Sequence, residues 1–313
     1  LSPTSDTTDG VGGRAPDPAA FPRRALLIFV DGLGWSGGDP ESDPCRDYGG
    51  ALFDFDRTDV ACRPLDACLG VDGLPQSATG QTSLLCGVNA QAAVGRHVPG
   101  FPTAPLRDIL RATSIFVQLR DAGRDAVFLN AFRPLFFRLP RAMQGRLSAT
   151  TVAHLAADRP FFGLDDLAAG RAVYQEFTNR ELIAKGFDVP QFTPEQAGRT
   201  LGRESLRRDF TLYEYFQTDR AGHAGDRPRA HAVLQDLETF VRAALSEIEH
   251  RGAAPDTLVL LTSDHGNLED LSTRSHTRNP VPLLAWGPGS AALLARCTRL
   301  DEVTPTLLSL LLN

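Results

Sequence analysis

A chain of 313 residues, 42% hydrophobic and 22% charged, is long enough to bury one large core, or one core carrying an insertion. Its net charge of −6 argues against a general nucleic-acid binder, which carries a basic excess. Its longest apolar runs, residues 25–30 and the leucines of 307–312, fall far short of a membrane span. The five cysteines, Cys45, Cys62, Cys68, Cys86 and Cys297, match no zinc spacing and read as reduced, partly buried thiols of a cytoplasmic protein.

Residues 1–23 are rich in Gly, Pro, Ser, Thr and Asp, without the charged start and apolar stretch of a signal peptide, so a disordered tail is expected there. The remaining 24–313 read as one domain. Residues 24–31, RALLIFVD, form a buried parallel strand with Asp31 at its carboxyl end, where ligands of open α/β sheets gather. On its own, Asp31 reads equally well as a turn aspartate before Gly32. Residues 37–56 are irregular, and 60–71 hold a strand or a loop. Residues 74–87, LPQSATGQTSLLCG, place Ser77, Thr79, Thr82 and Ser83 where a loop tips into a buried helix. The free N–H groups of a first helical turn favour a bound phosphate, and a hydroxyl there becomes a nucleophile once activated.

The periodicity of 107–122 predicts a single helix ended by Gly123, followed by a strand over 125–130. Residues 132–202 lack a strand–helix alternation, interleave Arg with Phe, and are expected to contain an inserted cap. The Arg/Phe stretch reads first as a packed loop with solvated arginines. A strand over 209–217 leads into Asp219 and His223, four residues apart, which one helical turn aims at one ion. An amphipathic helix spans 227–250. The strand 257–262, TLVLLT, runs into Asp264, His265 and Gly266, where the glycine permits a turn that lets both side chains ligate. His276 follows, then a strand over 281–286 and a closing helix over 300–312 with Asp301 as its cap.

Of the seven histidines, His231 and His250 read as helix-surface residues, and His97 and His154 have no evident partner. Each remaining histidine alone is more simply structural. Together, Asp31, Asp219, Asp264, His223, His265 and His276 make an N/O donor set suited to Zn²⁺ or Mn²⁺.

These motifs resemble the alkaline phosphatase superfamily, above all its metalloenzyme branch, which contains cofactor-independent phosphoglycerate mutase and phosphopentomutase. Gln76 to Gln81 fit the branch's nucleophile pattern, hydroxyl-x-x-Gly, with Ser77 at the nucleophile and Gln81 where the pattern ends in His. Asp31-Gly32, Asp219…His223, Asp264-His265-Gly266-Asn267 and His276 resemble its metal-binding segments in order, and residues 301–311 its C-terminal helix. The resemblance implies an α/β, three-layer core with a mostly parallel central sheet. It also implies two divalent ions, one on Asp31, Asp264, His265 and the Ser77 oxygen, the other on Asp219, His223 and His276. The implied activity is phosphoryl transfer on a phosphorylated small molecule, through a phosphoserine. A phosphatase is the leading expectation because the insertion is short, and retention of an intermediate asks for a larger closing cap. A small-substrate phosphomutase, a phosphodiesterase or sulfatase, and a non-catalytic metal-binding module are the alternatives. Thr79 is the alternative nucleophile. The residues leave the substrate-binding groups, the metal and the oligomeric state open.

Overall fold

The computed structural model describes residues 21–313, so most of the tail expected over 1–23 lies outside the described residues. Just before the first strand, the Arg23 N–H donates to the Asp256 carbonyl at 2.9 Å.

Six strands are β1 (Arg24–Val30), β2 (Cys62–Leu65), β3 (Ala126–Phe128), β4 (Phe210–Tyr215), β5 (Thr257–Thr262) and β6 (Val281–Trp286), in the order β2-β6-β5-β1-β4-β3. β1 pairs in parallel with β4 on one side and β5 on the other, and β3 extends the parallel block. β6 runs antiparallel to β5 and β2, a direction that an apolar run alone does not encode. The mostly parallel sheet is therefore as expected.

Alternation along β1 explains the layers. Leu27 and Phe29 face one core with Leu84, Leu85 and Phe210, while Leu26, Ile28 and Val30 face another with Leu234, Leu237 and Phe240. A strand apolar on both faces needs helices on both, as in parallel α/β sheets. On the first face lie α1 (Ser77–Cys86), α2 (Ala104–Thr113) and α3 (Ile115–Asp121). Beyond β3 the chain forms α4 (Pro134–Arg138) and α5 (Ala149–Ala156), and then α6 (Pro194–Ser205). After β4 come α7 (Gln217–Ala224) and α8 (Arg227–His250), the long amphipathic helix in its expected place. α9 (Val303–Leu311) closes the chain. None of the described helices is long and apolar enough to cross a membrane.

Two local expectations are corrected. The single helix over 107–122 is two, α2 and α3, broken at Ser114, whose backbone is extended (φ −61°, ψ 152°). The Thr113 carbonyl is taken by the Gln118 side-chain amide at 2.6 Å, which relieves the loss of a ladder partner. The closing segment starts as a 3₁₀ turn, Leu300–Glu302, and Asp301 does not cap α9; its carboxylate holds Arg299 at 2.7 and 3.0 Å. Residues 132–202, where no regular alternation was evident, are largely short helices. Two of these belong to the main layers: α5 contributes Val152 and Ala153 to the first core, and α6 contributes Ala197 and Leu201 to the second.

His154 on α5 is fully buried among Phe116, Phe128 and Phe161, and neither ring nitrogen has a hydrogen-bond partner. Burial pushes its pKa down to about 3. The unfolded chain takes up this proton near pH 6.5 and the folded one does not, so stability falls as pH drops below that point, by about 1.4 kcal/mol per pH unit until the folded pKa is reached. His154→Phe is expected to flatten the loss of melting temperature between pH 7.5 and 4.5. An unchanged acid slope would show that another group sets it.

Candidate active site

Three parallel strands deliver three acids to one edge. Asp31 follows β1, Asp264 follows β5, and Asp219 lies in the first turn of α7 just past β4. Ser77 is the first residue of α1, with Gln76 before it in extended conformation. The hydroxyl-x-x-Gly spacing has a steric cause: a Cβ at Gly80 would lie 2.6 Å from the Asp264 carbonyl oxygen, so α1 reaches this strand end only with glycine there. Gly266 acts the same way rather than through a special turn. It is absent from the glycines with positive φ, and a Cβ on it would lie 2.2 Å from Thr277 Oγ1.

The structure brings all seven of the proposed ligand residues to one site. Ser77 Oγ lies 3.0 Å from His265 Nε2, and that nitrogen is 3.2 Å from Asp31 Oδ1 and 3.6 Å from Asp264 Oδ2. Asp219 Oδ1 lies 3.4 Å from His223 Nε2 and 3.6 Å from His276 Nε2. The His265 and His276 rings stack at 3.7 Å, joining the two halves. Two groups have the spacing of metal ligands, Asp219–His223–His276 and Asp31–Asp219–His265. Asp219 belongs to both, whereas the resemblance assigned it to one ion.

The donor set fits cations. His276 Nδ1 sits 2.9 Å from the Pro75 carbonyl and His223 Nδ1 2.7 Å from that of Arg274. An N–H donated there leaves each Nε2 lone pair facing the acids, the tautomer a metal ligand needs. Asp31 Oδ1 is buried without any hydrogen bond. Burial, then the charges of Asp219 and Glu214, hold Asp31 well above the usual carboxylate range, and burial followed by Asp31 does so for Asp264. Burial and the neighbouring His265 lower His276 to about 4. Acids crowded out of water in this way are stabilised by a positive ion, which inverts the local preference for neutrality.

Thr79 faces inward. It is fully buried, and its Oγ1 donates to the Gln76 carbonyl and accepts from the Val98 N–H, both at 3.2 Å. Ser77, by contrast, lines a cavity of 340 Å³ with Asp31 and Gln81.

Four further residues, beyond the expected ligands, hold the site. The Gln81 amide donates to Asp264 Oδ2 at 3.1 Å and Asp31 Oδ2 at 3.4 Å. Asn267 Nδ2 donates to Asp219 Oδ1 at 2.7 Å. Buried Glu269 ties three loops together, accepting from the N–H groups of Gly34 (3.0 Å) and Asn267 (2.8 Å) and from Asn279 Nδ2 (3.0 Å). Glu214 lines the same cavity and accepts from Thr150 Oγ1 at 2.7 Å, and burial raises its pKa to about 7. Gln81, at the last position of the nucleophile pattern, and Asn267, in the Asp264-His265-Gly266-Asn267 segment, are the two of the four with a sequence signal.

Gln81→Leu is expected to weaken Mn²⁺ binding by roughly 10- to 100-fold, the usual scale for losing a group that orients metal ligands. Calorimetric titration of the metal-free protein measures this, and an unchanged affinity would make the contact incidental.

The sequence profile of the Metalloenzyme superfamily matches residues 177–313, the part that carries Asp219, His223, Asp264, His265 and His276. The 2,3-bisphosphoglycerate-independent phosphoglycerate mutase of Cereibacter sphaeroides (strain ATCC 17025) is 33% identical over 111 residues, covering 33% of this chain and 21% of the mutase. That of Desulforudis audaxviator is 32% identical over 128 residues, covering 38% and 24%. The matched stretch thus spans a fifth to a quarter of these relatives. In fold, the alkaline phosphatase of the Antarctic bacterium TAB5 superposes with a TM-score of 0.56 at 16% identity, over 94% of this chain and 99% of its own. The cold-active alkaline phosphatase of the psychrophile Shewanella sp. gives 0.54 at 13%, over 92% and 99%. Residues 177–313 are thus similar to the Metalloenzyme superfamily and to phosphoglycerate mutases, and the chain as a whole has the fold of the alkaline phosphatases.

Proposed function

We propose that the chain is a two-metal phosphatase of phosphate monoesters that works through a phosphoserine at Ser77. The observation that carries this reading is the Ser77 hydroxyl, at the start of α1, directed to His265 Nε2 within the Asp/His cluster while also lining the cavity. Asp31, Asp264, His265 and the Ser77 oxygen would hold one ion, and Asp219, His223 and His276 the other, with the Asp219 carboxylate within reach of both. Bound Mn²⁺ or Zn²⁺ supplies acidification of the serine hydroxyl and charge neutralisation at the attacking and leaving oxygens.

The chain's own residues do the rest. Ser77 Oγ attacks phosphorus in line with the departing alkoxide, so the serine–phosphorus bond forms as the ester bond breaks. The positive end of α1 lies beside the incoming phosphoryl oxygens. Gln81 and Asn267 hold the carboxylates in place through the amide contacts above. Water then attacks the phosphoserine, returns the Ser77 oxygen and releases phosphate. Phe132, Arg133, Ser148, Thr151, Tyr174 and Gln175 wall the cavity from within the stretch expected to hold a cap, and this wall keeps the leaving group oriented. A cavity of 340 Å³ beside half-buried Ser77 leaves room for water as the acceptor.

The mutase relatives favour a second reading, a phosphomutase that passes the phosphoryl group to a substrate hydroxyl. Metal-stripped protein given Mn²⁺ or Zn²⁺ and an aryl phosphate distinguishes the two. Metal-dependent release of free phosphate is expected. A stable phosphoprotein with little release, discharged only by a sugar or hydroxy-acid acceptor, would replace the phosphatase by the mutase.

A further inference from the structure

Phe101 is 64% exposed, yet it lines the cavity that Ser77 and Asp31 open into. Its loop is pinned to the nucleophile helix. The Ala78 N–H donates to the Val98 carbonyl at 3.1 Å, and the Val98 N–H donates back to Thr79 Oγ1 at 3.2 Å. On the other side, Arg107 holds the Pro102 carbonyl at 2.6 Å. A large apolar ring is therefore held over the mouth of the site without burying itself. The same lining carries Phe128, Phe132, Tyr174 and Phe216. Among the described residues, Arg133 is the only cationic one of the lining, and it is exposed, while Glu214, which is not among the expected metal ligands, adds an acid. A substrate's apolar group thus finds aromatic faces, whereas a second anion finds one solvated guanidinium and the Glu214 carboxyl.

Building on the phosphatase reading, we infer that the site takes phosphate monoesters of flat, apolar alcohols, aryl esters above all, in preference to phosphorylated hydroxy acids. Phe101 packs on the alcohol and sets that preference. It is a specificity residue, with no part in the phosphoryl chemistry.

The test compares kcat/KM for phenyl phosphate and 3-phosphoglycerate, as phosphate released, on Mn²⁺-loaded wild type and Phe101→Ala. Calorimetric binding of phenylphosphonate and 3-phosphonopropionate is measured in parallel. Phenyl phosphate is expected to lead by roughly tenfold or more, the scale of one apolar group fitting its pocket. Phe101→Ala should shrink the ratio to within about threefold, mainly through KM, because the ring contributes ground-state binding. Phe101 is exposed and its loop is pinned through backbone groups, so the variant keeps its fold; melting temperature checks this. Equal or reversed preference in wild type, or an unchanged ratio in the variant, overturns the inference while leaving the phosphatase intact. Absence of phosphate release from either ester sinks the phosphatase reading instead. The phosphonates then decide the inference: tighter phenylphosphonate binding that Phe101→Ala weakens supports it, and equal binding rejects it.

Discussion

Ser77→Ala is expected to lower metal-dependent phosphate release at saturating metal by roughly a thousandfold or more, with folding preserved. The reason is positional. Ser77 Oγ is the hydroxyl that meets His265 Nε2 at 3.0 Å and also opens to the cavity. Thr79, two residues on, has its oxygen engaged by Gln76 and Val98. Alanine in the first turn of α1 disturbs little, because Ser77 supplies no cap and its hydroxyl makes a single contact. The metal-free melting temperature should match wild type, and the ion that shares the Ser77 oxygen should bind more weakly, so the comparison is made at saturating metal, where the remaining loss belongs to the chemistry. Activity retained within about tenfold would mean direct attack by water.

The second large effect concerns Asp219, which serves both ligand groups. Asp219→Asn is expected to weaken uptake of both ions and to remove activity by a similar thousandfold scale. His223→Ala removes an exposed ligand of one group only and should be milder. Stability separates this account from simple unfolding. Without metal, Asp219 raises the cost of ionising Asp31, its largest charge neighbour, so neutralising it should leave the metal-free melting temperature equal or higher. Wild type should gain about 2.7 kcal/mol per bound ion at a metal concentration 100 times Kd, because the ions bind the folded state. The variant should lose most of that gain at the same concentration. A variant stabilised by metal as strongly as wild type would contradict a shared role for Asp219.

Much of the fold was legible because buried strands write themselves as unbroken apolar runs. The span 257–262 and the helix over 227–250 stand where periodicity put them. The candidate site was legible to the extent that its groups directly follow such runs: Asp31 after β1, Asp264 and His265 after β5, Asp219 and His223 one turn past β4. What escaped depends on contacts far apart in the chain. Glu269 carries no motif or periodicity of its own in the sequence, yet it is buried and bonded to loops at residues 34 and 279. Glu214 lies within an alternating strand, and only tertiary packing turns it to the cavity. The break at Ser114 escaped because the apolar spacing continues across it while the backbone does not.

The most direct test of the phosphoserine route is phosphopeptide mapping. Metal-loaded protein turning over phenyl phosphate is quenched in acid, digested and sequenced by mass spectrometry. Phosphate on Ser77, absent without metal and absent in Ser77→Ala, is the expected result. Phosphate on Thr79, or rapid release of phosphate from a chain that never carries it, would contradict the assignment of Ser77 as nucleophile.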